Sequence, residues 1–357
     1  MSSLEPLIAE AQRMLRICNA CRYCEGYCAV FPALERRLDF TEADAHYLAN
    51  LCHNCGSCLY ACQYAPPHEF QLNFPRMLAQ VRAGTYRKYA FPAALSGLFA
   101  RNGLAVSLIA AVSLALMFLA TERTATGSFY NAMPHSLMAG LFGLVFAAMA
   151  VSLGVSVLCF WRAIAGDPAG GLAEATADAL TLKYLDGGGE GCTYPDEQPS
   201  FARRRFHHLT FYGFLLCFAA TCVGALYHYV LARPAPYPLA SLPVVLGTAG
   251  GIGLVVGPAG LLYLRLRRDP ELGDAKQDGM DIAFVALLFL TAATGLALLA
   301  LRDGAAMGTL LAVHLGVVLA LFVTLPYGKF VHALYRFAAL ALFHIERKRP
   351  PPALGAE

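Results

Sequence analysis

Residues 18–28 read CNACRYCEGYC, and residues 52–62 read CHNCGSCLYAC. Each stretch is a run of four cysteines at the same spacing: Cys18, Cys21, Cys24 and Cys28 in the first, Cys52, Cys55, Cys58 and Cys62 in the second. Three thiolates separated by two residues suit three iron corners of a [4Fe–4S] cube, and the fourth, three residues further on, reaches the other cube when two are present. This spacing assigns Cys18, Cys21, Cys24 and Cys62 to a first cluster, and Cys52, Cys55, Cys58 and Cys28 to a second. Ala29 and Gln63 stand where a proline often follows the fourth cysteine. Proline shapes that turn but ligates nothing. Paired Cys-x2-Cys units also suit tetrahedral zinc, but zinc needs four ligands and leaves the third cysteine of each run without a task.

Eight of the twelve cysteines precede residue 63. The N-terminal MSSLEPLIAEAQRMLRICNAC has no continuous apolar signal region, so a reducing compartment and metal ligation are expected instead of disulfides. Hydrophobic residues make up 57% of the 357 and charged residues only 14%, with a mean hydropathy of +0.52. An ordinary globular chain carries roughly 25% charge. This composition excludes a soluble enzyme and a disordered chain, and a net charge of +3 gives no reason to expect nucleic acid as a partner.

Beyond residue 101 come six stretches without a charged side chain: 103–120, 135–161, 208–231, 242–264, 282–301 and 305–325. Each matches the ~20 helical residues that cross a hydrocarbon layer. The expected fold is mostly α, a ferredoxin-like 2×[4Fe–4S] domain followed by a six-helix transmembrane bundle. Residues 1–100 form the first domain and its juxtamembrane connector, 101–345 a cytochrome b-like membrane domain, and 346–357 a tail. Segments 1–102, 162–207, 265–281 and 326–357 hold 24 of the 27 Lys and Arg, while the opposite loops hold Arg123, Arg233 and Arg302. The positive-inside rule then puts both termini in the cytoplasm, and a bacterial inner membrane is the expected location. Residues 70–101 read as a basic, aromatic-rich connector near the membrane face. Residues 162–207, with Gly187, Gly188 and Gly189, read as an irregular segment, and Cys192 within it as a free thiol.

Histidines inside spans are costly, and neutral imidazole is a standard axial ligand of haem iron. His314 and His332 are 18 residues apart, about five helical turns, so they share a face with about 27 Å between them. His207 and His228, 21 residues apart, are about 60° out of phase. Chain direction then pairs His207 with His332 at the inner level and His228 with His314 at the outer, with His208 and His135 as substitutes. His46, His53, His68 and His344 read as solvated or local packing residues.

The chain resembles the TcuB/CitB family, the tricarballylate- or citrate-utilisation protein B group. The resemblance runs through both cysteine runs, residues 64–70 (YAPPHEF), 186–195 (DGGGEGCTYP) and 204–214 (RRFHHLTFYGF). The helix with His314 and His332 also resembles the haem-carrying helix of respiratory nitrate reductase membrane subunits. The family resemblance implies an iron–sulfur and haem protein, with one or two b-type haems, that reoxidises a reduced FAD-dependent dehydrogenase of the TcuA type and delivers electrons to membrane quinone. Two other classes are weighed beside it. A membrane-anchored iron–sulfur redox sensor or metallocentre-assembly protein has no use for histidines matched at two depths. A tricarboxylate transporter would want buried Arg or Lys within its spans.

Overall fold

The computed structural model describes residues 4–121, 133–166 and 170–350. The loop around Arg123 and residues 351–357 of the tail lie outside them. Five helices build the N-terminal unit: α1 (Glu5–Cys21), α2 (Val30–Leu34), α3 (Glu42–Leu51), α4 (Ser57–Tyr60) and α5 (Phe74–Tyr89). A capping box opens α3: the Thr41 hydroxyl accepts from the Asp44 amide at 3.2 Å, and the Asp44 carboxylate accepts from the Thr41 amide at 2.9 Å. Two amides that would otherwise lack partners are satisfied in this way. Asn73 caps α5 by accepting from the Arg76 amide at 3.1 Å, with Pro75 in the first turn. Leu15, Leu34, Leu48, Leu51, Leu78 and Val81 from these elements are completely buried together.

α5 corrects the expectation of a connector over 70–101. Met77, Leu78 and Val81 turn into the core of the unit. Arg87 and Lys88 stay exposed, and Arg82 is buried. The basic character that suggested a membrane-face strap therefore belongs to one side of an interior helix.

Among the described residues, six helices are long and apolar enough to cross a membrane. They are α6 (Ala93–Thr121), α7 (His135–Ala165), α9 (Ala202–Tyr229), α10 (Leu242–Leu266), α11 (Asp278–Ala300) and α12 (Met307–Thr324). α9 and α10 meet at backbone distance. A Cβ at Gly257 would lie 2.6 Å from the amide nitrogen of Thr210. Small residues at such a seam let two helices gain van der Waals contact that bulky ones forbid, which matters most where lipid supplies no hydrophobic drive.

Between α7 and α9 the chain is more ordered than expected. It forms α8 (Leu172–Thr181) and a short antiparallel pair, β1 (Cys192–Thr193) with β2 (Pro199–Ser200). The helix carrying His314 also stops at Thr324, just before Pro326, and a separate helix, α13 (Val331–Arg347), carries His332. A proline cannot donate the next helical hydrogen bond. The five-turn phase relation between these two histidines therefore does not hold.

α13 also departs from the expected membrane domain. Its Ala339, Leu340, Ala341, Leu342 and Phe343 join the core of the N-terminal unit. Arg37 pairs with both Asp44 and Glu346, and the Tyr47 hydroxyl donates to Glu346 at 3.1 Å. Asp178 of α8 meets His344 at 2.7 Å. The C-terminal helix thus binds the cysteine-bearing unit to the bundle. Arg37→Ala strands two largely buried carboxylates and is expected to cost about 3 kcal/mol. A thermal melt of the detergent-solubilised protein should show a lower midpoint, and an unchanged midpoint would contradict this role.

Candidate metal centre

Both cysteine runs start at a helix end and continue through turns. α1 finishes at Cys21, and Arg22 then adopts a left-handed φ of 54°, its amide bonding the Cys18 carbonyl at 2.9 Å. Cys52 closes α3, Asn54 and Gly56 take φ of 55° and 90°, and α4 carries Cys58. A Cβ at Gly56 would lie 2.3 Å from the Thr193 carbonyl oxygen, so only glycine suits both the backbone angle and the space.

The turns leave two adjacent hollows. Cys18, Cys21, Cys24 and Cys62 line the first, with Phe31 and Leu72 among its walls. Cys28, Cys52, Cys55 and Cys58 line the second, and Cys58 also borders the first. The last cysteine of each run thus stands with the first three of the other. Burial, then the neighbouring charges of Cys62 and Cys21, pushes Cys24 up to about 12, and the same causes raise Cys18. Crowded sulfurs in an apolar wall resist ionising until a polycation compensates them. Among the described residues no three His, Cys, Asp or Glu donors converge on one ion. The sulfurs ring two hollows, a donor set that fits iron–sulfur cubes.

Cys192 is fully buried. Its thiol hydrogen bond to Cys55 holds the Cys55 thiol down, at about 6, and drives that of Cys192 up. The Thr193 hydroxyl donates to the Cys55 carbonyl at 3.4 Å. The glycine-rich stretch 186–195 therefore packs against the turn Cys55–Ser57 that carries the second run. Its unusual composition was visible in the sequence, but the surface it covers was not.

Behind the second hollow lies a cavity of about 370 Å³ facing the bundle. His207 of α9 and His332 of α13 both line it, with ring centres 6.1 Å apart and planes at 79°. His207 Nδ1 is buried without a partner. His332 Nδ1 donates to the Lys329 carbonyl, which leaves Nε2 as the lone-pair nitrogen. Burial and then the charges of Arg336 and Lys329 push His332 well below the usual imidazole range, so it is neutral. Of the two readings of His53, solvated or packed, the structure gives the second: it is buried, its Nδ1 has no partner, and it lines both the second hollow and this cavity.

The outer level differs from the expected pairing. His228 stacks on His135, a named substitute, with ring centres 3.8 Å apart. His314 instead sits 3.0 Å from the Thr294 hydroxyl and packs on Gly295. His208 lies against Tyr212. Rings stacked at 3.8 Å leave no room for an iron between His135 and His228 in this arrangement.

The architecture defines a class: a ferredoxin-type unit joined to six helices of membrane-spanning length. Residues 11–88 match the family model described as Citrate utilization protein B Fer4-like domain, and residues 90–353 match that of Citrate utilization protein B. The chain belongs to the citrate utilization protein B family. A curated relative, Citrate utilization protein B of Escherichia coli, is 54% identical over 352 residues, covering 96% of this chain and 93% of the relative. No solved structure matches the chain. The two family matches meet at the end of α5.

Gly56→Val is expected to remove about half of the bound iron, by disrupting the second hollow alone. Gly26→Ala, where a Cβ meets nothing within 4 Å, should leave iron unchanged. Equal iron contents in the two variants would contradict this placement.

Proposed function

We propose that the protein carries electrons from a reduced FAD-dependent dehydrogenase of the TcuA type to membrane quinone, during use of citrate or tricarballylate. When bound, two [4Fe–4S] clusters and one b-type haem supply the one-electron carriers between a two-electron flavin and the quinone. The eight cysteines hold the clusters in the two hollows as read from their spacing, and His207 with His332 holds the haem. The observation that carries this reading is the pair of imidazoles facing across a cavity that adjoins the second hollow. Two metal–nitrogen bonds of roughly 2 Å plus half of each ring require ring centres roughly 6 Å apart, against the 6.1 Å found.

The chain's own residues do the remaining work. Phe31, Leu72 and Phe74 shield the cysteine sulfurs from water. The Lys329 carbonyl holds His332 in its ligating tautomer. Tyr23, 68% exposed beside the first hollow, marks the side open to a docking dehydrogenase. The Lys and Arg distribution supports a bacterial inner-membrane protein with both termini in the cytoplasm.

A redox-titrated optical spectrum of the purified protein tests the reading. A Soret band is expected in the native protein and in His314→Ala, and its loss in His207→Ala and in His332→Ala with iron–sulfur absorbance retained. A native protein without a Soret band, or a band that survives at both His207→Ala and His332→Ala, would contradict it.

A further inference from the structure

Three arginines from three different helices converge on the backbone of the second cysteine run and of the helical turn just before it. Arg82 of α5 donates to the Ala49 carbonyl at 2.8 Å, Arg336 of α13 to that of Cys52 at 2.7 Å, and Arg203 of α9 to that of Asn54 at 2.6 Å. Arg82 is only 5% exposed. Other cations around the same cavity have carboxylate partners: Arg265 and Lys329 pair with Asp281, and Arg268 with Asp278. Arg82, Arg203 and Arg336 have no carboxylate within ion-pair reach among the described residues. Arg203 instead lies over the Tyr194 ring at 4.3 Å. Burying cations without counter-charge is costly, and carbonyl hydrogen bonds recover only part of that cost.

No Arg, Lys, Asp or Glu lines either hollow directly, and the backbone of the first run is reached by Arg22, which donates to the Asn19 carbonyl at 3.0 Å. Arg22 and Glu25, nearby in sequence, are both exposed and opposite in sign, so water and each other screen them.

We propose that Arg82, Arg203 and Arg336 raise the reduction potential of the second cluster above that of the first, making it the exit toward the membrane cavity. This rests on the proposed function. Reduction adds one negative charge to a cluster, and cations held close in a poorly screened interior favour that state. One electron leaves the first cluster and enters the second, so the first is oxidised and the second reduced, with no bond made or broken and no proton required. Three unneutralised charges, Arg82 buried and Arg203 and Arg336 half-buried, outweigh the greater solvent access of the first hollow. The same three residues tie the loop to α5, α9 and α13, so the clamp that docks the cluster also sets its potential.

The test is an EPR-monitored redox titration of the full-length protein in detergent, each signal assigned by whether Cys21→Ser or Cys55→Ser alters it. The Cys55-linked signal is expected to appear at the higher potential. Arg336→Gln should lower it by at least the 59 mV that corresponds to a tenfold change in its reduced-to-oxidised ratio. The Cys21-linked signal should stay in place, and Arg336→Lys should restore most of the shift. If Arg336→Gln does not fold, Arg203→Gln carries the same expectation, and the native order of potentials is a test on its own. A higher Cys21-linked potential overturns the inference, as does an arginine variant that moves both signals or neither. Absence of any cluster signal overturns the proposed function as well, and is distinguishable from those results.

Discussion

Eight thiol groups packed into one small helical unit are the constraint on which the rest of this structure depends. Sulfur ionises reluctantly in an apolar wall beside other sulfurs, as the raised Cys24 and Cys18 show, and compensation must come from what the sulfurs hold. Because the last cysteine of each run stands with the other run, the two hollows share Cys58 as a common wall and form one body. That body is too small to bury its own surface. α13 fills its core from one side, and the glycine-rich stretch 186–195 packs on the Cys55 turn from another.

The same closure fixes the position of the cysteine unit over the bundle. Arg336 and Arg203, from helices far along the chain, end on carbonyls of the second run. His53, between two cysteines of that run, borders the cavity that His207 and His332 also line. The proposed electron transfer needs carriers held at short, fixed separations, and here helices with hydrogen-bonded loops hold the sites in place.

Much of this was legible in the residues. The cysteine spacing and the six apolar stretches each reflect one strong rule, thiolate geometry and bilayer thickness, which local sequence obeys. Helix ends were less so: α6 begins at Ala93, ten residues before its apolar stretch, because a helix can extend beyond the hydrocarbon. The break after Thr324 was signalled by Pro326, yet the alternation of α13 resembled the end of a span. Its apolar face meets protein from residues about three hundred positions earlier, and no local pattern announces that. Arg82, Arg203 and Arg336 were hidden for a related reason: their partners are backbone carbonyls, which carry no residue signature. The stack of His135 on His228 depends on how α7 and α9 lean together, which helical phase within one element cannot supply.

The central claim is that the two hollows hold iron–sulfur cubes. It is tested most directly by iron and acid-labile sulfide analysis of the protein purified without oxygen. The account predicts about eight of each per chain. Zinc in place of iron, or iron without labile sulfide, would contradict it.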